Sequence, residues 1–204
     1  AMVIFNQTKK FSAAKEASQV ITIIKAGGDA MKAVQAEREL SFGVLSGADL
    51  EAQLKSARET VDSYIGNAVT AAEIARMDVA GEFEDIKSTL ESLRSNVDDR
   101  SRLADSSFAE YSDLETKILA DLVDVAHRAP SEYAQQFSGL VLLQSAEEYA
   151  SKVRGRASSI ATLDVPITEA ALLALVSDYA SITNELNSPA LVITPEVDMK
   201  RSEV

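Results

Sequence analysis

Apolar and small residues recur near the start of the chain at alternating spacings of three and four: Ala13, Ala17, Val20, Ile24, Gly27, Met31 and Val34. That repeat keeps side chains on one face of a helix, and it predicts a first helix over about residues 8–42. The next member of the series is Arg38. A guanidinium where the pattern asks for an apolar side chain is costly unless it meets an anion, either a protein carboxylate or a bound ligand. Gly27 and Gly28 weaken the same helix. Their combined cost, on the order of 1–2 kcal/mol of helix propensity, marks a kink or a close approach of another helix.

Ser46-Gly-Ala-Asp49 has capping-box spacing and predicts a second helix that turns Leu50, Leu54, Val61, Ile65, Ala68, Ala72 and Ala75 inward. After a break at residues 77–81, a third helix carries Phe83, Ile86, Leu90, Leu93 and Val97 and gives out in the charged Asp98-Asp-Arg-Ser-Arg102. Ser107-Phe-Ala-Glu110 is a second capping-box match, opening a fourth helix through Tyr111, Leu114, Ile118, Leu122 and Val125. Beyond Pro130 a fifth helix, about residues 132–161, has Tyr133, Phe137, Leu140, Leu143, Glu147, Ala150, Arg154, Ala157 and Ala161 on one face. A guanidinium, Arg154, again stands inside a stripe of small and apolar residues. Thr168 is placed to cap a sixth helix that reaches about Leu186, where Asn187-Ser-Pro189 ends it. No segment shows the period-two alternation of a strand, so the expectation is an all-α protein of six main helices in elongated antiparallel bundles. The whole chain, 1–204, reads as one helical domain with residues 1–7 and about 190–204 as flanks.

Composition narrows the function. At 46% hydrophobic and 25% charged residues the chain can fill a core, and with 5% aromatics and no Trp that core is aliphatic and small, suited to close helix packing. The formal net charge of −12 repels a phosphate backbone and argues against nucleic acid as a partner. The absence of cysteine removes disulfides, thiolate metal sites and cysteine nucleophiles. His127, the only histidine, has Asp124 three residues before it but no second such pair with which to build a metal site. No phosphate loop, nucleophile elbow or catalytic triad can be assembled, so neither an enzyme nor a cofactor is expected. No run approaches the ~20 apolar residues that cross a bilayer. Ala1-Met2 before Val3-Ile4-Phe5 reads as a junction, as if a flanking membrane helix ended just ahead of it.

The candidate chemistry lies with Arg38 and Arg154. Two readings stand side by side. Each arginine pairs internally, with Glu37, Glu147 or another acid, in a helical scaffold or partner-binding module without a small ligand. Alternatively the two forks converge in one pocket on a small planar oxyanion, with Gln35, Ser41 and Ser151 as hydrogen-bond partners. Arg58, Arg94 and Arg156 read as solvated helix residues.

Gln35-Ala-Glu-Arg38 followed by Leu40-Ser-Phe-Gly-Val-Leu-Ser-Gly47 resembles the signature of the nitrate- and nitrite-sensing (NIT) domains, roughly Q-x-E-R-G-L-S-x-G-x-L-S. Leu54-Lys-Ser-Ala-Arg-Glu-Thr-Val-Asp62 resembles the family's Arg-x-x-Thr-Asp element, and Leu90-Glu-Ser-Leu-Arg-Ser-Asn-Val-Asp98 with Tyr111-Ser-Asp-Leu-Glu-Thr-Lys-Ile-Leu119 its following segments. Glu148 to Arg154 sits where the family has a Lys-Glu to Glu-Arg-Ala run. Glu39 stands where the family usually has Gly, Val61 in place of its Thr, and Val153 in place of the Glu before Arg154. The resemblance implies two stacked helical bundles sharing long helices, in the input domain of a bacterial signalling protein such as a chemoreceptor or sensor kinase. It implies nitrate or nitrite as ligand. An extracytoplasmic position between two membrane helices, with an output domain elsewhere in the full-length protein, is the matching expectation. Signalling inputs of this kind commonly work in pairs, and Ala13, Ala17, Gly27 and Gly28 suit a homodimer along the first helix.

Overall fold

A computed structural model describes residues 2–163 and 167–191. Within them the chain forms six α-helices and no strands: α1 (Met2–Leu45), α2 (Glu51–Ala75), α3 (Val79–Asp98), α4 (Ala104–His127), α5 (Ala134–Leu163) and α6 (Glu169–Leu186). The all-α class expected from the periodicity is the class observed. The chain divides into two compact units, residues 1–130 and 131–204.

The first unit is an up-and-down bundle in which α1 packs on α2 and α4, and α3 closes the ring against both. The face read from the sequence is the buried one: Ala17, Val20, Ile24, Met31, Val34 and Arg38 are all buried. The glycines do not break the helix, which is continuous over 44 residues. Gly27 marks a close approach instead. A Cβ added there would lie 2.5 Å from Leu122 Cδ2 and 3.2 Å from Phe83 Cζ. Part of the small-residue stripe expected to serve a homodimer is therefore occupied by α3 and α4 of the same chain. Gly27→Val should cost about 1–3 kcal/mol through overpacking, measured as a lower urea midpoint, whereas Gly66→Val, with nothing within 4 Å, should change stability only by its helix propensity.

Neither capping-box serine opens a helix. Gly47 has φ +94 and sits past the end of α1, where Ala48 N–H donates to the Gly43 carbonyl at 2.9 Å and Gly47 N–H to Val44 at 3.1 Å. This is a Schellman termination, so Ser46 closes α1 rather than opening α2, which starts after Leu50 without a side-chain cap. Ser107 is buried inside α4, whose first residue is Ala104. Arg76 (φ 57) and Arg100 (φ 49) end α2 and α3 in the same left-handed manner.

In the second unit α5 packs on α6. Thr168 caps α6 as expected, its side chain accepting from Ala171 N–H at 3.1 Å. The inward face of α5 is not the expected one. Phe137, Val141, Gln144, Glu148 and Ser151 are buried, while Leu143, Glu147, Ala150 and Arg154 are exposed. Polar residues fill the buried stripe, so counting apolar positions selected the neighbouring face. No side chain of α6 is buried; Leu172, Leu173, Val176 and Tyr179 are exposed along it.

Candidate functional site

Glu37 and Arg38 are consecutive, oppositely charged and both completely buried near the C-terminal end of α1. Adjacent residues on a helix point about 100° apart, so the two side chains reach different neighbours. Arg38 turns to α4. Its Nη1 donates to Ser112 Oγ at 2.9 Å and to the carboxylate of Glu115, and its guanidinium carbon lies 4.5 Å from the centre of the Phe108 ring. Phe108, Ser112 and Glu115 follow at i, i+4 and i+7, one face of α4. An ion pair, a hydroxyl acceptor and a cation–π contact therefore hold one desolvated cation.

Glu37 turns the other way. Arg94 of α3 grips it through Nε and Nη2, each 2.8 Å from a carboxylate oxygen, and the Tyr111 hydroxyl donates to Oε1 at 2.8 Å. Arg94 also donates through Nη1 to Asp62 of α2 at 2.7 Å and through Nη2 to the Arg58 carbonyl at 3.2 Å. Arg58 bonds Asp98 at 3.0 Å, with its Nε 3.8 Å from Glu37. The network therefore joins all four helices. It meets solvent at a cleft of about 180 Å³ lined by Lys55, Arg58, Asp98 and Arg100 among others.

Titration follows from this burial. Desolvation works against the Arg94 charge, but the hydrogen bonds and negative charge of Glu37, then of Asp62, outweigh it and raise its pKa above the usual value. Burial, followed by the Glu37 carboxylate, pushes the Tyr111 phenol above its ordinary range, so it remains a hydrogen-bond donor at neutral pH.

Of the expected site residues, Gln35, Arg38 and Ser41 are buried together on α1 in the first unit. Ser41 donates to the Tyr111 hydroxyl at 3.4 Å, which ties it to the Glu37 network. Ser151 and Arg154 lie on α5 in the second unit, where Arg154 Nη2 donates to Ser151 Oγ at 3.3 Å. Ser151 is buried, but Arg154 is exposed, contrary to its reading as a cation inside an apolar stripe. Arg58 and Arg94 are not solvated either, their side chains being 19% and 14% exposed. Arg156 pairs with Asp178 at 3.1 Å. The carboxylate partner of Arg38, Glu115, was missed because 77 residues separate the two. The i, i+4, i+7 run of Phe108, Ser112 and Glu115 along an inward face was the available signal. Asp124 lines a small acidic cleft with Asp78, Glu82 and Asp121, and among the described residues no group of three or more His, Asp or Glu is placed to hold a metal.

Fold and site together define an all-helical domain with paired charges buried inside a four-helix bundle. The family model described as nitrate and nitrite sensing matches residues 29–191, and the chain belongs to this NIT family. The segments carrying the resemblance supply Glu37, Arg38, Arg58, Asp62, Arg94, Asp98 and Tyr111, which the fold gathers in one bundle. A solved structure described as that of the NasR transcription antiterminator is similar in fold, with a TM-score of 0.82 at 18% identity over 99% of this chain. The match covers 57% of the antiterminator chain, so this chain spans little more than half that protein's length. A comparison with curated proteins gave no match.

Proposed function

We propose that this chain is the ligand-sensing input region of a longer bacterial signalling protein and that it binds nitrate or nitrite through Arg38. The observation that carries the reading is a fully buried guanidinium in a domain of the nitrate and nitrite sensing family. A guanidinium presents a planar fork of donors that matches a planar oxyanion, and a desolvated setting strengthens that pairing. Gln35 and Ser41, buried on α1 with Arg38, are the further residues assigned to the ligand. A transmembrane receptor, such as a chemoreceptor or sensor kinase working as a homodimer, with this region outside the cytoplasm, is the setting that suits such an input. None of the described helices is itself long and apolar enough to cross a membrane.

Nitrate titrated against thermal unfolding tests the reading. At 100 times its dissociation constant a ligand stabilises by ~2.7 kcal/mol. Arg38→Ala should abolish the shift, and Arg38→Lys should recover only part of it because an ammonium lacks the fork. Arg102→Ala should leave it intact, since Arg102 is exposed and pairs with Glu110 at 3.3 Å. A wild-type protein indifferent to nitrate and nitrite would favour the scaffold reading, in which the Arg38–Glu115 pair is purely architectural.

A further inference from the structure

Glu115 occupies the place an anion would take. Its carboxylate accepts from Arg38 Nη1, and both side chains are 0% exposed. A carboxylate and a nitrate present the same edge, two oxygens in one plane, to a guanidinium. We propose that Glu115 is the internal competitor of the anionic ligand for Arg38, so that ligand binding loosens the ion pair joining α1 to α4. The inference rests on the reading of Arg38 as the anion-binding residue.

A second anion brought to Arg38 meets the negative charge of Glu115 in a buried setting, where like charges repel far more strongly than in water. Affinity is therefore lowered by Glu115, and the bound state is one in which its hold on Arg38 is weakened. A ligand shifts a conformational equilibrium only by its differential affinity for the two states. Exchange of one planar anion for another supplies such a difference at the α1–α4 contact. Phe108 and Ser112 can keep their places during the exchange, the ring by stacking and the hydroxyl because it also donates to the Phe108 carbonyl at 2.9 Å. Glu37, held by Arg94 and Tyr111, anchors the next residue of α1 throughout.

Glu115→Gln keeps the volume and an acceptor oxygen but removes the charge. Calorimetric titration of the whole chain with sodium nitrate should give a dissociation constant lowered on the order of tenfold, equivalent to ~1.4 kcal/mol. Glu115→Ala leaves the Arg38 charge without its carboxylate, and nitrate or formate should raise its melting temperature more than that of the wild type. If the wild type binds nitrate and Glu115→Gln binds it no more tightly, the competitor role is overturned while the nitrate reading stands. If the wild type does not bind but nitrate and formate stabilise Glu115→Ala, Glu115 is a competitor and the nitrate-sensor reading falls. If neither protein responds, both fall. A merely structural Glu115 would lower stability in both variants without tightening any anion.

Discussion

Replacing Glu37 with alanine is expected to lower the unfolding free energy by about 3–5 kcal/mol, the loss typical of breaking a buried ion pair by removing one partner. Three hydrogen bonds are lost at once, from Arg94 Nε, Arg94 Nη2 and the Tyr111 hydroxyl, and only Nη2 keeps another acceptor, the Arg58 carbonyl. A domain of this size is stable by only about 5–15 kcal/mol, so the variant should be partly unfolded at modest denaturant. Urea titration should show the midpoint falling with an unchanged slope. Asp62→Ala removes a partner of the same Arg94, but the Asp62 side chain is 50% exposed. Its cost should stay within about 1 kcal/mol. Equal losses in the two variants would show that the burial of Glu37 is not what gives it weight.

The double substitution Arg38→Met with Glu115→Leu should separate architecture from sensing. Either change alone removes one member of a buried ion pair and should cost about 3–5 kcal/mol, whereas replacing both ions by packed apolar side chains is commonly neutral or stabilising. Ser112 tolerates the loss of its guanidinium donor because its hydroxyl still bonds the Phe108 carbonyl. The double variant should therefore fold with stability close to the wild type, and a double-mutant cycle should return a large coupling energy between the two positions. It should show no stabilisation by nitrate at any concentration. A double variant that folds and still responds to nitrate would remove Arg38 from the binding reaction.

The helices and the α1 face were legible in the sequence because burial there follows apolar periodicity, with one charged residue conspicuous among aliphatic ones. Thr168 was legible because an N-cap is a local event. The face of α5 was not, since Gln144, Glu148 and Ser151 lie in its buried stripe and Leu143 lies outside it. The starts of α2 and α4 misled for a similar reason: Leu50 and Leu103 stand at the N-cap positions without side-chain bonds, and the serines with capping-box spacing belong to other contacts. Arg38 could be singled out from its own helix, but its partner could not, because any of many acids could have met it. Arg94 and Arg58 looked solvated because helical spacing reports which face a residue occupies, not whether a long side chain folds back to a buried carboxylate.

The order of the two residues Glu37-Arg38 fixes the rotational setting of α1. Turning that helix back by one residue, about 100° with a 1.5 Å shift, would carry Arg38 into the place of Glu37, facing Arg94 and Arg58, and Glu39 into the place of Arg38, facing Glu115. Two attractions would become two repulsions among desolvated charges. The pair of opposite signs thus works as a key with two bits: aliphatic side chains could repack around a twisted α1 at modest cost, but this dipeptide admits one azimuth and rejects its neighbours.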